Sequence, residues 1–123
     1  MAYLHDDILD QALNYISTNT ENLYITSQEA GTFAEASSTY ALGSKASPTF
    51  TGPANGDTSG RKVTCDAISD GSVSADGTAS HWSLTDDSAS KLLATGALSS
   101  SQSVTSGNTF TLTAFDIEIP DAA

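Results

Sequence analysis

His5 and His81 are the only histidines in this chain of 123 residues, so any proton relay or nucleophilic triad would be built on one of them. Serine is abundant, but no Ser stands in a Gly-x-Ser-x-Gly elbow. His81 lies on the strand parity opposite Trp82 and Leu84, which points it toward solvent or a partner. No catalytic residue is therefore expected. Asp70, Asp76, Asp86, Asp87 and Asp116 fall at turn or strand positions without EF-hand or Cys/His ligand spacing. They read as solvated carboxylates, with Ca²⁺ at the acidic turns as the minor alternative, and neither a metal nor a cofactor is expected. Gly43, Gly71, Gly77 and Gly107 form no phosphate-cradling pattern.

Trp82 is the only tryptophan and could serve as a sugar-stacking platform. Its shared parity with Leu84 favours a core position. Cys65 is the only cysteine and cannot form an internal disulfide. In RKVTCDAI it alternates with Val63 and Ala67, as a buried structural thiol would; the sharper alternative is an intermolecular thiol.

Composition narrows the partners. Lys45, Arg61, Lys62 and Lys91 stand against fifteen acidic residues, for a net charge of −11. Four cations cannot neutralise a run of phosphates, so no nucleic-acid partner is expected. Anionic membrane surfaces are disfavoured on the same ground. No stretch reads as a secretion signal or a bilayer-spanning run, and the expectation is a soluble chain made inside the cell without processing. With 15% charged residues, much of the surface must be Ser, Thr, Ala, Gly and Asn, which suits strands better than helices.

The elements that would position these residues follow from periodicity. Residues 5–17 predict the one helix, with Ile8, Leu9, Ala12, Leu13 and Ile16 on one stripe and Asp6 or Asp7 as its cap. Such a helix is marginal alone and must dock, on its own sheet or on a neighbouring subunit. Leu23 and Ile25 mark a short strand. Residues 27–60 are weakly patterned and read as a long irregular segment anchored by Phe33, Tyr40, Leu42 and Phe50, with a strand at 48–52 and a mobile loop at 54–60. Arg61–Ile68 alternates as a strand, and Asp70-Gly71 and Asp76-Gly77 read as turns. Three β-type runs at 78–85, 91–98 and 109–119 carry most of the large apolar side chains. In the last run Phe110 and Leu112 share one parity and Phe115, Ile117 and Ile119 the other, which places a bend near Thr113-Ala114. The expected fold is mainly β, an antiparallel sandwich or barrel (21–123) with one N-terminal α-helix (1–20).

The segments ILDQALNYI, EASSTYALG, AISDGSVSADGTASHWSLTD and LLATGALSSSQSVTSGNTFTL…FDIEIP resemble a family of small tailed-bacteriophage virion structural proteins, head decoration or cement proteins most of all. The resemblance spans nearly the whole chain and rests on structural motifs, so it carries no functional residues across. It implies a non-enzymatic component of the virion, made in the host bacterial cytoplasm and assembled on the particle. Its partners would be the major capsid protein or other virion proteins, with a homo-oligomeric arrangement in the particle. Two alternatives stay open: a neck or tail connector ring (adaptor, stopper or terminator), and a surface glycan-binding module. The residues expected to touch a partner are Ile8, Leu9, Leu13 and Ile16 on the helix, or Phe33 and Tyr40 in the extended region.

Overall fold

Helix α1 (Asp6–Asn19) begins one residue earlier than its acidic pair suggested. His5 is the cap: its Nδ1 accepts the Asp7 backbone N–H at 3.1 Å, while Asp6 and Asp7 sit inside the first turn against the positive end of the helix dipole. The helix also runs two residues past Ser17. The Ser17 hydroxyl and the Asn19 amide bond back to the carbonyls of Asn14 and Tyr15, so these polar side chains extend the helix without breaking it. Thr20 closes it by returning both its N–H and its Oγ1 to Ile16 O.

The computed structural model describes residues 4–121. After α1 come β1 (Asn22–Thr26), a π-helical turn (Glu35–Thr39), β2 (Ala41–Ala46), β3 (Phe50–Asn55), β4 (Arg61–Cys65) and β5 (Ile68–Val73). Then follow β6 (Gly77–Asp86), a 3₁₀ turn (Asp87–Ala89), β7 (Lys91–Val104), β8 (Thr109–Leu112) and β9 (Phe115–Ile119). The fold is mainly β. A six-stranded antiparallel sheet, ordered β7-β6-β1-β2-β5-β8, curls into a half-barrel, and a three-stranded sheet is ordered β3-β4-β9.

The core lies on the inner face of the half-barrel. Leu23 and Ile25 of β1 stand opposite Leu84 and Trp82 of β6, and Leu42, Ile68, Val73, Phe110, Leu112 and Cys65 pack around them. Helix α1 lies on β4 and β3 and seats Leu9 and Leu13, both almost fully buried, against them. Each contributes on the order of 1.5–3 kcal/mol by leaving water.

Residues 27–60 are more regular than expected. They hold the π-helical turn, all of β2 and all of β3, and the strand expected at 48–52 lies at Phe50–Asn55. The segment 54–60 is not a free loop. Ala54 and Asn55 belong to β3, and Gly56–Gly60 form a closed turn in which the Asp57 N–H donates to Glu118 Oε1 at 2.6 Å. Asp70-Gly71, expected as a turn, lies inside β5 opposite Phe110. The glycine is needed for space: a Cβ at Gly71 would sit 2.3 Å from the Phe110 ring. The bend at Thr113-Ala114 is present and larger than a bulge. Leu112 still pairs with Ile68 in the six-stranded sheet, whereas Phe115 pairs with Cys65 in the three-stranded one. The parity change marks a chain crossing between sheets. Among the described residues no helix is long and apolar enough to cross a membrane.

Candidate functional site

Two surface features combine side chains in a way that could bind something. The first is the seam of the half-barrel. β7 and β8 are the two edges of the six-stranded sheet. Along β7 the register with β6 jumps from His81↔Ala97 to Ala79↔Gln102, so residues 98–101 of β7 oppose Ser80 alone. That excursion forms one wall of a cleft of about 330 Å³. Thr111 and Thr113, at the crossing from β8 to β9, form the other. Gln102 spans the seam, its Nε2 donating to Thr111 O at 2.8 Å. Trp82 and Phe115 lie at the base, stacked with ring centroids 4.2 Å apart and planes at 25°. Among the described residues, none that lines the cleft is charged.

The stack decides how Trp82 behaves. It is 7% exposed, belongs to the core cluster, and covers the bare backbone of Gly96, where a Cβ would fall 2.5 Å from Cζ2. With Phe115 against its ring, the indole is a packed wall and not an open platform.

The second feature is the outer face of α1. Among the described residues, Leu4 (51% exposed), Ile8 (56%) and Tyr15 (47%) are the large apolar side chains left in water. Ile8 and Tyr15, seven residues apart, share one face of the helix, and Leu4 lies just before the cap His5. Leu9 and Leu13 occupy the other face. The expectation that Leu9 and Leu13 touch a partner is therefore corrected: they are consumed by the chain's own β4 and β3. Ile16 is half-buried against the core, and of the four helix positions only Ile8 faces outward. Phe33 and Tyr40 are half-buried on either side of the π-helical turn. Leu4 and Tyr15 were not singled out from sequence; the helical spacing of Tyr15 to Ile8 could have revealed it, whereas Leu4 stands before the helix cap. The cleft left no such signal, because its walls come from a register jump between strands.

Cys65 has no exposed surface. Burial, and then the neighbouring Asp66 carboxylate, push its thiol up to about 12. A bond from this sulfur to another chain would require β4 to open, which removes Cys65 as an intermolecular thiol in the folded protein.

The carboxylates have local tasks. Asp70 pairs with Lys45 at 3.1 Å, and Asp76 accepts the Ser106 N–H. Asp87 accepts from the Tyr24 hydroxyl (2.9 Å) and from Thr85, and Tyr24 is pushed up to about 12 by burial and by that carboxylate. Glu21 takes two hydrogen bonds from Ser88, which lower its pKa, and its proximity raises the pKa of Asp86. Asp57, Asp116 and Glu118 converge closely enough to hold a cation. Lys62 already stands there, with Nζ at 2.7 Å from Asp57 and 3.2 Å from Asp116. Hydrogen bonds to Asp57 and Asp116 raise Lys62, and a bond from Thr64 followed by those from Lys62 holds Asp116 below its ordinary value.

His81 is half-buried, and its Nδ1 meets the hydroxyl of its own neighbour Ser80 at 2.8 Å. Ser83 Oγ is buried without a partner among the described residues, yet it lies on a strand between Tyr24 and Thr95 and not in the cleft. Lys45, Arg61 and Lys62 are ion-paired within the chain, and Lys91 lies 3.5 Å from the Tyr15 hydroxyl. The outward charge is therefore acidic. Comparison of the chain with protein-family models, curated proteins and solved structures finds no match.

Proposed function

We propose that this chain is a non-enzymatic structural protein of a tailed-bacteriophage virion, a decoration or cement protein that binds the outside of the head lattice. One observation carries this reading: α1 has two apolar faces, and the fold uses one. Leu9 and Leu13 fix the helix to the domain, while Ile8 and Tyr15, with Leu4 just before the cap, remain in water. The Asp10–Arg61 pair and the buried Leu9 and Leu13 fasten the helix to the domain, so the outer stripe is already in place when a partner arrives.

The occupant of that stripe is a surface of the major capsid protein with an apolar ridge flanked by Lys or Arg. Asp6 and Asp7 border the stripe, and three of the chain's four cations already serve internal carboxylates. A second copy of this chain would bring like charge to like. A shallow contact of this kind becomes firm when repeated over a symmetric shell, with neighbouring copies held side by side on the lattice.

Counting copies of the chain in purified particles tests the reading. A lattice protein is present on the order of hundreds of times per head, whereas a neck or tail connector ring holds about a dozen copies or fewer. Absence from the particle would overturn both.

A further inference from the structure

The geometry points to the seam cleft as a binding site for a neutral carbohydrate, one or two sugar rings held by its hydroxyl-bearing walls above the packed Trp82–Phe115 base. This goes beyond the lattice-binding role and uses a different face of the molecule.

Size argues first. A cleft of about 330 Å³ lies at the low end of the range for small-molecule sites, about 300–1,000 Å³. An added β-strand of five or six residues is about 17–20 Å long and would project well beyond such a space. Charge argues next. The chain carries four basic and fifteen acidic residues, yet none of them lines this cleft. An anionic or cationic ligand would lose its hydration with no counter-charge in return.

Hydrogen bonding then sets the chemistry. Ser99, Ser100, Thr111 and Thr113 each offer a hydroxyl that both donates and accepts, and Gln102, whose Nε2 is engaged with Thr111 O, offers its amide oxygen. Residues 98–101 have no register partner on β6 other than at Ser80, so their backbone groups are further candidates for a ligand's hydroxyls. The rim is thus hydroxyl-rich and the base aromatic, matching a sugar ring with polar edges and apolar C–H faces. Phe115 and Gly96 hold the indole in place, so the aromatic wall is formed before any ligand arrives.

Trp82 is the only tryptophan, and its emission therefore reports this cleft directly. The full-length chain is titrated with cellohexaose, maltohexaose and fully acetylated chitohexaose, and with hexagalacturonate as the anionic control. At least one neutral probe is expected to shift Trp82 emission saturably, with half-saturation at or below about 1 mM. Backbone amide NMR shifts should then be confined to residues 97–102 and 111–115. Ser100→Tyr, which fills the cleft from its rim, should weaken that binding at least about tenfold; unchanged NMR dispersion shows that the variant is folded. The proposal is overturned if none of the three neutral probes gives a saturable response, if hexagalacturonate binds as well as the best of them, or if Ser100→Tyr binds unchanged. It is also overturned if a neutral Ser/Thr/Val heptapeptide protects the β7 amides while the sugars do not. The measurement uses the isolated protein, so its outcome is independent of whether the chain occupies a phage head.

Discussion

Asp10 on α1 and Arg61 on β4 meet through two hydrogen bonds, Nε to Oδ1 at 2.7 Å and Nη2 to Oδ2 at 3.3 Å, while the third nitrogen of the guanidinium reaches Asn55. Both side chains are less than a quarter exposed. This fork is the polar fastening between the helix and the small sheet, beside the apolar seat made by Leu9 and Leu13. Asp10→Ala should lower the urea midpoint, because Arg61 is left with Asn55 as its remaining side-chain partner. Urea unfolding followed by far-UV circular dichroism measures it. Equal stability of Asp10→Ala and the parent would mean that the helix is held by apolar contact alone.

Tyr24 predicts an alkaline limb. Its folded-state pKa is raised to about 12 from 10.0, first by burial and then by Asp87. A raised value means that the folded chain keeps its proton where the unfolded chain has lost it. The stabilising contribution is then complete below pH 10 and disappears as pH climbs from 10 to about 12. Tyr24→Phe should flatten the fall of stability across that window, leaving the part due to Cys65. Chemical denaturation at pH 8, 10 and 11 reads the slope, and an identical slope in the variant would exclude Tyr24 as its source.

Cys65 makes a separate prediction at neutral pH. A thiol with no exposed surface and a pKa near 12 should react with Ellman's reagent at least about a hundredfold more slowly than a free cysteine, with full reaction in denaturant. Purified protein should run as the same band with and without reductant. Rapid labelling of the native chain would show that β4 opens readily.

Gly96 tests the aromatic wall. An added Cβ would lie 2.5 Å from Trp82 Cζ2 and 2.8 Å from Cε2, and the indole cannot move freely because Phe115 stacks on it. Gly96→Ala should therefore cost about 1–3 kcal/mol and shift Trp82 emission to the red as the ring is displaced toward water. The parent's stability with an unchanged spectrum would show that the stack yields at no cost.

The sequence was most legible where large apolar residues repeat. The stripe of Leu9 and Leu13 foretold a docked helix, and the parity change between Leu112 and Phe115 foretold the bend that carries the chain from one sheet to the other. It was least legible where small residues form strands. In β2 (ALGSKA) and β3 (FTGPAN) alternation is blurred by Gly, Ala and Ser, so two strands read as an irregular stretch. Asp70-Gly71 carries turn chemistry, but the glycine answers to a ring 39 residues later in the chain, Phe110. The cap at His5 was hidden behind two aspartates that usually serve as caps themselves. On the candidate sites, the helix gave Ile8 but not the division of its apolar residues between inside and outside. That division depends on where β3 and β4 lie, which local periodicity does not contain.

Attachment to a phage head through the outer stripe of α1 is the step on which the proposed role depends. Its most direct test is the binding isotherm of the purified chain on heads that lack it, compared with that of the double variant Leu4→Ser, Ile8→Glu. Neither side chain is buried, so the variant should unfold at the parent's denaturant midpoint. The parent should saturate the heads and the variant should bind at least about tenfold more weakly, since two apolar contacts are removed and an unpaired carboxylate is introduced. Equal saturation of the heads by a folded variant, or no binding by the parent at all, would contradict attachment through the stripe.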